Sequence, residues 1–129
     1  MKIHNYEVFR LHADFCKVMS SPKRLIIIDM LGKRPMNVGE IAQSLGTQPA
    51  TVSQHLRLLR DKNFVIARKE GQTVYYSLAQ PRMMDVCHMV REAMIENFKS
   101  GSKLAGDVDI ENLIEDIAPR RTKRKPVRG

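Results

Sequence analysis

The sequence predicts a mainly α-helical fold with one small β-hairpin, an α+β class, and three observations carry this. Apolar residues recur at helical spacing in five stretches between Tyr6 and Lys99. Helix-starting and helix-stopping residues stand between those stretches. After the fourth stretch come two β-type runs separated by a glycine-containing turn.

The first helix is expected over Tyr6 to Met19. Val8, Leu11, Phe15 and Val18 make one apolar stripe, and Phe9, His12, Cys16 and Met19 a second beside it. A helix apolar on two sides is usually buried on two sides, which points to a dimer interface as well as a core. Ser21 suits an N-cap with Pro22 at the first helical position. The second helix then runs to about Leu31 through Leu25, Ile26, Ile27, Ile28 and Met30, and Gly32 is expected to end it.

Asn37 and Glu40 have the spacing of a capping box, so a third helix begins there and closes at Gly46. Thr47 is expected to cap the fourth helix, with Pro49 in its first turn. That helix places Val52, Leu56 and Leu59 on one side and Thr51, Ser53, Gln54, His55 and Arg57 on the rest. Asn63 suits a left-handed stop. The runs Phe64 to Arg68 and Thr73 to Leu78 form the hairpin, with Gly71 in the turn. A long last helix follows from about Arg82 to Lys99. Its expected seam is Val86, Val90, Met94 and Phe98, widened by Met83, Cys87 and Ile95. Residues 1–100 thus read as one domain and residues 101–129 as an appendage. The appendage has an acidic amphipathic segment, Asp107 to Ala118, and a basic tail, Pro119 to Gly129, expected to be disordered.

The chain has 129 residues and a formal net charge of +8, but the charge is uneven. Arg120, Arg121, Lys123, Arg124, Lys125 and Arg128 supply six of those charges, leaving +2 for the rest. Net charge by itself is therefore a poor argument for a polyanion partner. No apolar run approaches the roughly 20 residues of a membrane span, and the N-terminal stretch has no signal-peptide core. Two cysteines are too few for a secreted disulfide scaffold. A cytoplasmic protein without membrane contact is expected. No nucleophile–base pair, phosphate loop or catalytic carboxylate set is present, so no enzyme activity and no cofactor are expected.

Helix, tight turn, helix and hairpin in that order describe a winged helix-turn-helix. The chemistry of the second helix agrees, because short polar and amide side chains reach base edges in a major groove. The expected DNA contacts are Thr51, Ser53, Gln54, His55 and Arg57 on that helix. Thr47 and Gln48 lie at its N-terminus, where free N–H groups hold phosphate. On the wing, Arg68, Lys69, Gln72 and Thr73 suit the backbone or the minor groove. His55 serves either DNA contact or helix packing. Three other readings compete with a sensing repressor: an architectural DNA-binding protein with no inducer, a protein-binding helix-turn-helix module, and an ordinary helical domain with a solvated polar face.

At these residues the sequence resembles the ArsR/SmtB repressors. The matching stretches are Ser21-Pro-Lys-Arg-Leu25, Ile41-Ala-Gln-Ser-Leu-Gly46, Thr51-Val-Ser-Gln-His-Leu-Arg-Leu-Leu-Arg60 and Arg68-Lys-Glu-Gly-Gln-Thr-Val-Tyr-Tyr76. The resemblance covers about residues 8–98. It implies a homodimer built from the first and last helices, double-stranded operator DNA as partner, and repression relieved by a small inducer. The family's metal sites do not carry over. Asn37 and Gly39 stand where one site needs cysteines, and Cys87 stands where another, beginning at Asp85, needs histidine, with Phe98 and Gly101 at its later positions. No metal site of the family's kind is expected. Cys16 and Cys87 remain, on the two helices that the resemblance places at the dimer interface. They are inert small apolar residues, a disulfide or persulfide switch, or soft-metal or arsenite ligands with His12 and His88. Where the thiols act as the sensor, the expected inducer is an oxidant, a sulfur species or a metalloid; where they are inert, no inducer follows from them. The methionines Met83, Met84, Met89 and Met94 read as core and interface.

Overall fold

The computed structural model describes residues 6–99, and the acidic segment and basic tail lie outside them. Five helices and two strands follow in order: α1 (Tyr6–Val18), α2 (Pro22–Lys33), α3 (Val38–Leu45), α4 (Pro49–Asp61), β1 (Val65–Glu70), β2 (Thr73–Leu78) and α5 (Arg82–Lys99). The chain divides into two compact units, the first ending at Met84 and the second beginning at Asp85 within α5. No helix among the described residues is long and apolar enough to cross a membrane.

The core of the first unit is aliphatic, as a chain with 5% aromatics requires. Ile27 and Ile28 of α2, Ile41 of α3, Val52, Leu56 and Leu59 of α4, and Val65 of β1 are all fully buried. Each such side chain contributes about 1.5–3 kcal/mol on leaving water. These residues come from four successive elements, so α4 is clamped along its whole apolar side.

The helix ends are built from specific hydrogen bonds. At α2, the Arg24 N–H donates to Ser21 Oγ at 3.3 Å, with Pro22 in the first turn. At α3, the Glu40 N–H donates to Asn37 Oδ1 at 2.8 Å, and the Asn37 N–H donates back to Glu40 Oε1 at 3.1 Å. The expected capping box is thus complete. Gly46, at φ 64°, then turns the chain left-handed. Its N–H donates to Gln43 O and that of Thr47 to Ala42 O, the two bonds of a Schellman ending. Asn63, at φ 65°, does the same for α4. Its N–H reaches Arg60 O, and the Phe64 N–H reaches Leu59 O at 2.8 Å.

Four expectations need correction. Thr47 does not cap α4: Gln48 holds the N-cap position without a side-chain bond, and Thr47 Oγ1 turns back to Leu45 O. Thr47 stands one position before the cap and belongs to the ending of α3, where its N–H donates to Ala42 O. Gly32 does not end α2, which continues to Lys33. It instead makes room for Met84, because a Cβ there would lie 2.2 Å from Met84 Sδ. The first strand is shifted, running Val65–Glu70, with Phe64 in the bend before it. On α5 the stripes are inverted: Cys87 and Ile95 are buried, while Val86, Val90 and Met94 are exposed.

The hairpin pairs Val65 with Leu78 through Glu70 with Thr73. Gly71 leads the two-residue turn at φ 62°, as a type II′ hairpin requires. A third segment joins the sheet. Met36, just before α3, exchanges both backbone hydrogen bonds with Tyr76, at 3.0 and 2.8 Å. β2 is therefore paired on both sides, and the wing is tied to the start of the helix-turn-helix.

Candidate nucleic-acid interface

Successive residues on a helix are about 100° apart. With Val52, Leu56 and Leu59 in the core, Gln54 and Arg57 fall on the opposite side of α4. Ser53 and Arg60 fall on one flank, and Thr51, His55 and Leu58 on the other. Exposure follows that wheel: Ser53, Gln54, Arg57 and Arg60 are exposed, while Thr51, His55 and Leu58 are half-buried. Ser53, Gln54 and Arg57 thus form an outward polar row on a helix whose back is immobilised. Arg57 and Arg60 have no ion-pair partner among the described residues. Arg60 was not among the expected contacts, although the same wheel arithmetic reaches it.

His55 points differently from Gln54. Burial holds its imidazole below the ordinary histidine pKa, and the nearby cations Arg24 and Lys23 at the start of α2 add to the effect. Arg24 is itself tied down, its Nε donating to Val18 O at 2.6 Å. His55 is thus half-buried on the side of α4 nearest the Arg24 and Lys23 cations of α2.

At the N-terminus of α4, Gln48 is exposed and Thr47 half-buried. They border a shallow open hollow with Gln43, Gly46 and Pro49. Gln48, Pro49 and Ala50 leave that rim uncharged. An anion there would meet backbone N–H groups first.

On the wing the strand period separates two residues that sequence reasoning grouped together. Ile66, Arg68 and Glu70 share one face with their partners Ser77, Tyr75 and Thr73. Lys69 lies on the other face, opposite Val74. Arg68, Lys69 and Gln72 are exposed, and Thr73 is half-buried. Arg68 Nη2 lies 2.7 Å from Glu70 Oε2, so this cation already has a partner.

A helix-turn-helix with a polar outward row and a sheet-anchored wing is the architecture of a DNA-binding regulator. Residues 21–67 match the family described as bacterial regulatory protein, arsR family. Over 81 residues the chain is 38% identical to nodulation protein NolR of Rhizobium meliloti, covering 63% of this chain and 66% of that one. The NolR structure from Sinorhizobium fredii superposes with a TM-score of 0.65 at 35% identity, covering 72% of this chain and 93% of NolR. The chain belongs to the ArsR family. It is a DNA-binding transcription regulator, and this family's members are not enzymes. Another ArsR-type relative, the transcriptional repressor SmtB homolog of Synechocystis, is 31% identical over 66% of this chain and 64% of its own. The matched stretch spans about two thirds of the length of both sequence relatives. A solution structure from Mycobacterium bovis, Mb0332, described as a homodimeric winged helix-turn-helix DNA-binding domain, superposes with a TM-score of 0.68 at 25% identity. It covers 78% of this chain and 93% of that one.

Asn37 is consumed by the α3 capping box, through both its side chain and its backbone. Among the described residues no group of three or more His, Cys, Asp or Glu side chains could hold a metal ion. Cys16 is exposed on α1 in the first unit, and Cys87 is buried on α5 in the second.

Proposed function

We propose that this ArsR-family chain is a cytoplasmic, homodimeric, sequence-specific repressor that reads its operator with α4. The observation that carries this is the outward row Ser53, Gln54 and Arg57 on a helix locked by Val52, Leu56 and Leu59. Gln54 offers paired hydrogen bonds to adenine, and Ser53 reaches bases or phosphate. Gln48, Thr47 and Thr51 serve the phosphates beside the helix, and Arg68, Lys69, Gln72 and Thr73 serve those under the wing. Dimerisation is supported by apolar residues left in water. Tyr6, Val8, Phe9 and Leu11 of α1 are each more than half exposed, and so, on α5, are Met89 and Val90. Residues 1–100 carry these roles, and residues 101–129 add only nonspecific charge. The test is a selected duplex titrated with wild type, Ser53→Ala and Gln54→Ala. Loss of about 1–3 kcal/mol confined to one base position is expected for Gln54→Ala. Unchanged affinity and selectivity in both variants would remove α4 from the reading role.

The signal we assign to this repressor is thiol-based, at Cys16 and Cys87. The exposure of Cys16 supports it, since an oxidant or persulfide in solution meets that thiol first. Cys87 is buried, so linking the two requires opening around α5. The linked state is expected to bind DNA at least tenfold more weakly, a difference of about 1.4 kcal/mol. Mass spectrometry of diamide-treated protein, beside titrations of Cys16→Ser and Cys87→Ser, checks this. Release that persists in either variant refutes the pair while leaving operator reading intact.

A further inference from the structure

We infer that Glu70 is a charge brake on the wing: it holds Arg68 in competition with DNA phosphate and so limits nonspecific attachment. The inference rests on the reading of the wing as a phosphate-contacting element. The strand period puts Arg68 and Glu70 two residues apart on one face, where Arg68 Nη2 and Glu70 Oε2 lie 2.7 Å apart. Glu70 pairs with Thr73 immediately before the Gly71 turn, so its carboxylate sits at the tip of the hairpin. Any element that approaches the duplex tip-first brings this carboxylate to the phosphates with Arg68.

The pair is weak enough to exchange. Both side chains are more than half exposed, at 64% and 55%, so water and salt screen their attraction. A phosphate can therefore replace the carboxylate as the partner of Arg68. The carboxylate then remains beside the phosphate as an uncompensated like charge. Of the three charged residues at the end of β1, Arg68 and Glu70 cancel, and Lys69 lies on the opposite face. The other acids near the interface are differently placed. Glu40 is engaged in the α3 capping box and lies 3.5 Å from Arg34, and Asp61 is at the far end of α4. Glu70 is thus the carboxylate positioned to oppose backbone attachment. Because it acts on phosphates, it weakens operator and nonoperator DNA alike, and base reading is left to α4.

The experiment uses the full chain and a random-sequence 30-base-pair duplex, titrated over a range of salt concentrations. Glu70→Gln keeps the shape of the side chain and removes its charge. It is expected to tighten binding by about three- to tenfold near 0.1 M salt and to steepen the salt dependence by about one unit, the signature of one added phosphate contact. Arg68→Gln is expected to weaken binding and flatten that slope by about one unit. In the double variant the gain from Glu70→Gln should shrink to the part owed to like-charge repulsion, because the cation it releases is gone. Weaker binding in Glu70→Gln would show that the carboxylate orients Arg68 and would overturn the brake. So would an unchanged affinity in Glu70→Gln combined with a loss in Arg68→Gln. If Arg68→Gln itself binds as wild type, the wing does not hold phosphate through this residue, and the underlying reading fails instead.

Discussion

The ring of Phe15 on α1 stacks on that of Phe64, with centroids 4.2 Å apart and planes 20° from parallel. Phe64 follows the left-handed Asn63 that ends α4, and it is only 3% exposed. The contact therefore fastens α1 to the joint between α4 and the wing. Phe64→Ala should cost about 3–5 kcal/mol, and Phe15→Ala less, because Phe15 is only half-buried. A double-mutant cycle by urea unfolding, at fixed protein concentration, should return a coupling of about 0.5–1.5 kcal/mol. Additive single losses would mean the stack itself contributes nothing.

Gly32 and Met84 set up a second test. A glycine inside α2 is a local loss, since alanine is better there by about 1 kcal/mol. Yet a Cβ at Gly32 meets Met84 Sδ at 2.2 Å, Cγ at 2.9 Å and Cβ at 3.1 Å, close to the root of that side chain. Rotating the end of Met84 cannot relieve this. Gly32→Ala alone should therefore destabilise, by about 1–3 kcal/mol of overpacking offset in part by the helix gain. Adding Met84→Ala should return stability toward or above that of Met84→Ala alone. Thermal melts of the three variants decide it, and a stabilised Gly32→Ala single variant would count against tight packing at this point.

These two contacts mark where sequence reading stops. Local signals were legible: the Asn37 capping box, the Gly46 and Asn63 stops and the Gly71 turn all depend on residues within a few positions of one another. The polar row of α4 was legible for the same reason, because one helical wheel contains it. Long-range pairings carry no such signature. Nothing in the sequence ties Met36 to Tyr76, Phe15 to Phe64, or Gly32 to Met84. A glycine near a helix end, such as Gly32, signals a stop equally well as a close approach. Arg68 and Lys69, adjacent in sequence and both expected to contact DNA, lie on opposite faces of the strand. On α5 both stripes are apolar, so periodicity could not say which faces inward.

The caps differ in a way stability can measure. Asn37 bonds the Glu40 N–H at 2.8 Å, whereas Thr47 gives no bond to an α4 N–H. Asn37→Ala should cost about 0.5–2 kcal/mol. Thr47→Ala should change stability by less than about 0.5 kcal/mol, the range of ordinary surface changes. Equal losses in chemical unfolding would restore Thr47 as a cap.

His55 supplies the pH test, and its sign follows from its surroundings. Burial is the first cause of its lowered pKa, and the Arg24 and Lys23 cations at the start of α2 are the others. The folded chain therefore prefers neutral imidazole more than the unfolded chain does. With a folded pKa below an unfolded value near 6.5, the unfolded state binds more protons as pH falls. The stabilisation is fully present above about pH 6.5 and is lost as pH falls through the folded pKa. Melting temperature should accordingly drop between pH 7 and 5, and His55→Gln, which cannot be protonated, should show a smaller drop over that interval. Glu7 is held below its ordinary pKa by its hydrogen bond from Arg10, so its contribution is lost only at lower pH. If α4 lies against the DNA backbone as proposed, a phosphate near His55 favours the imidazolium form and reverses the preference. Binding to a random-sequence duplex should therefore take up protons and tighten as pH falls from 7 to 6, while the free protein loses stability over the same range. Proton uptake is measured by calorimetric titration in buffers of different ionisation enthalpy. Loss of uptake in His55→Gln would place this side chain within reach of the backbone. Identical uptake in both proteins would confine His55 to packing against α2.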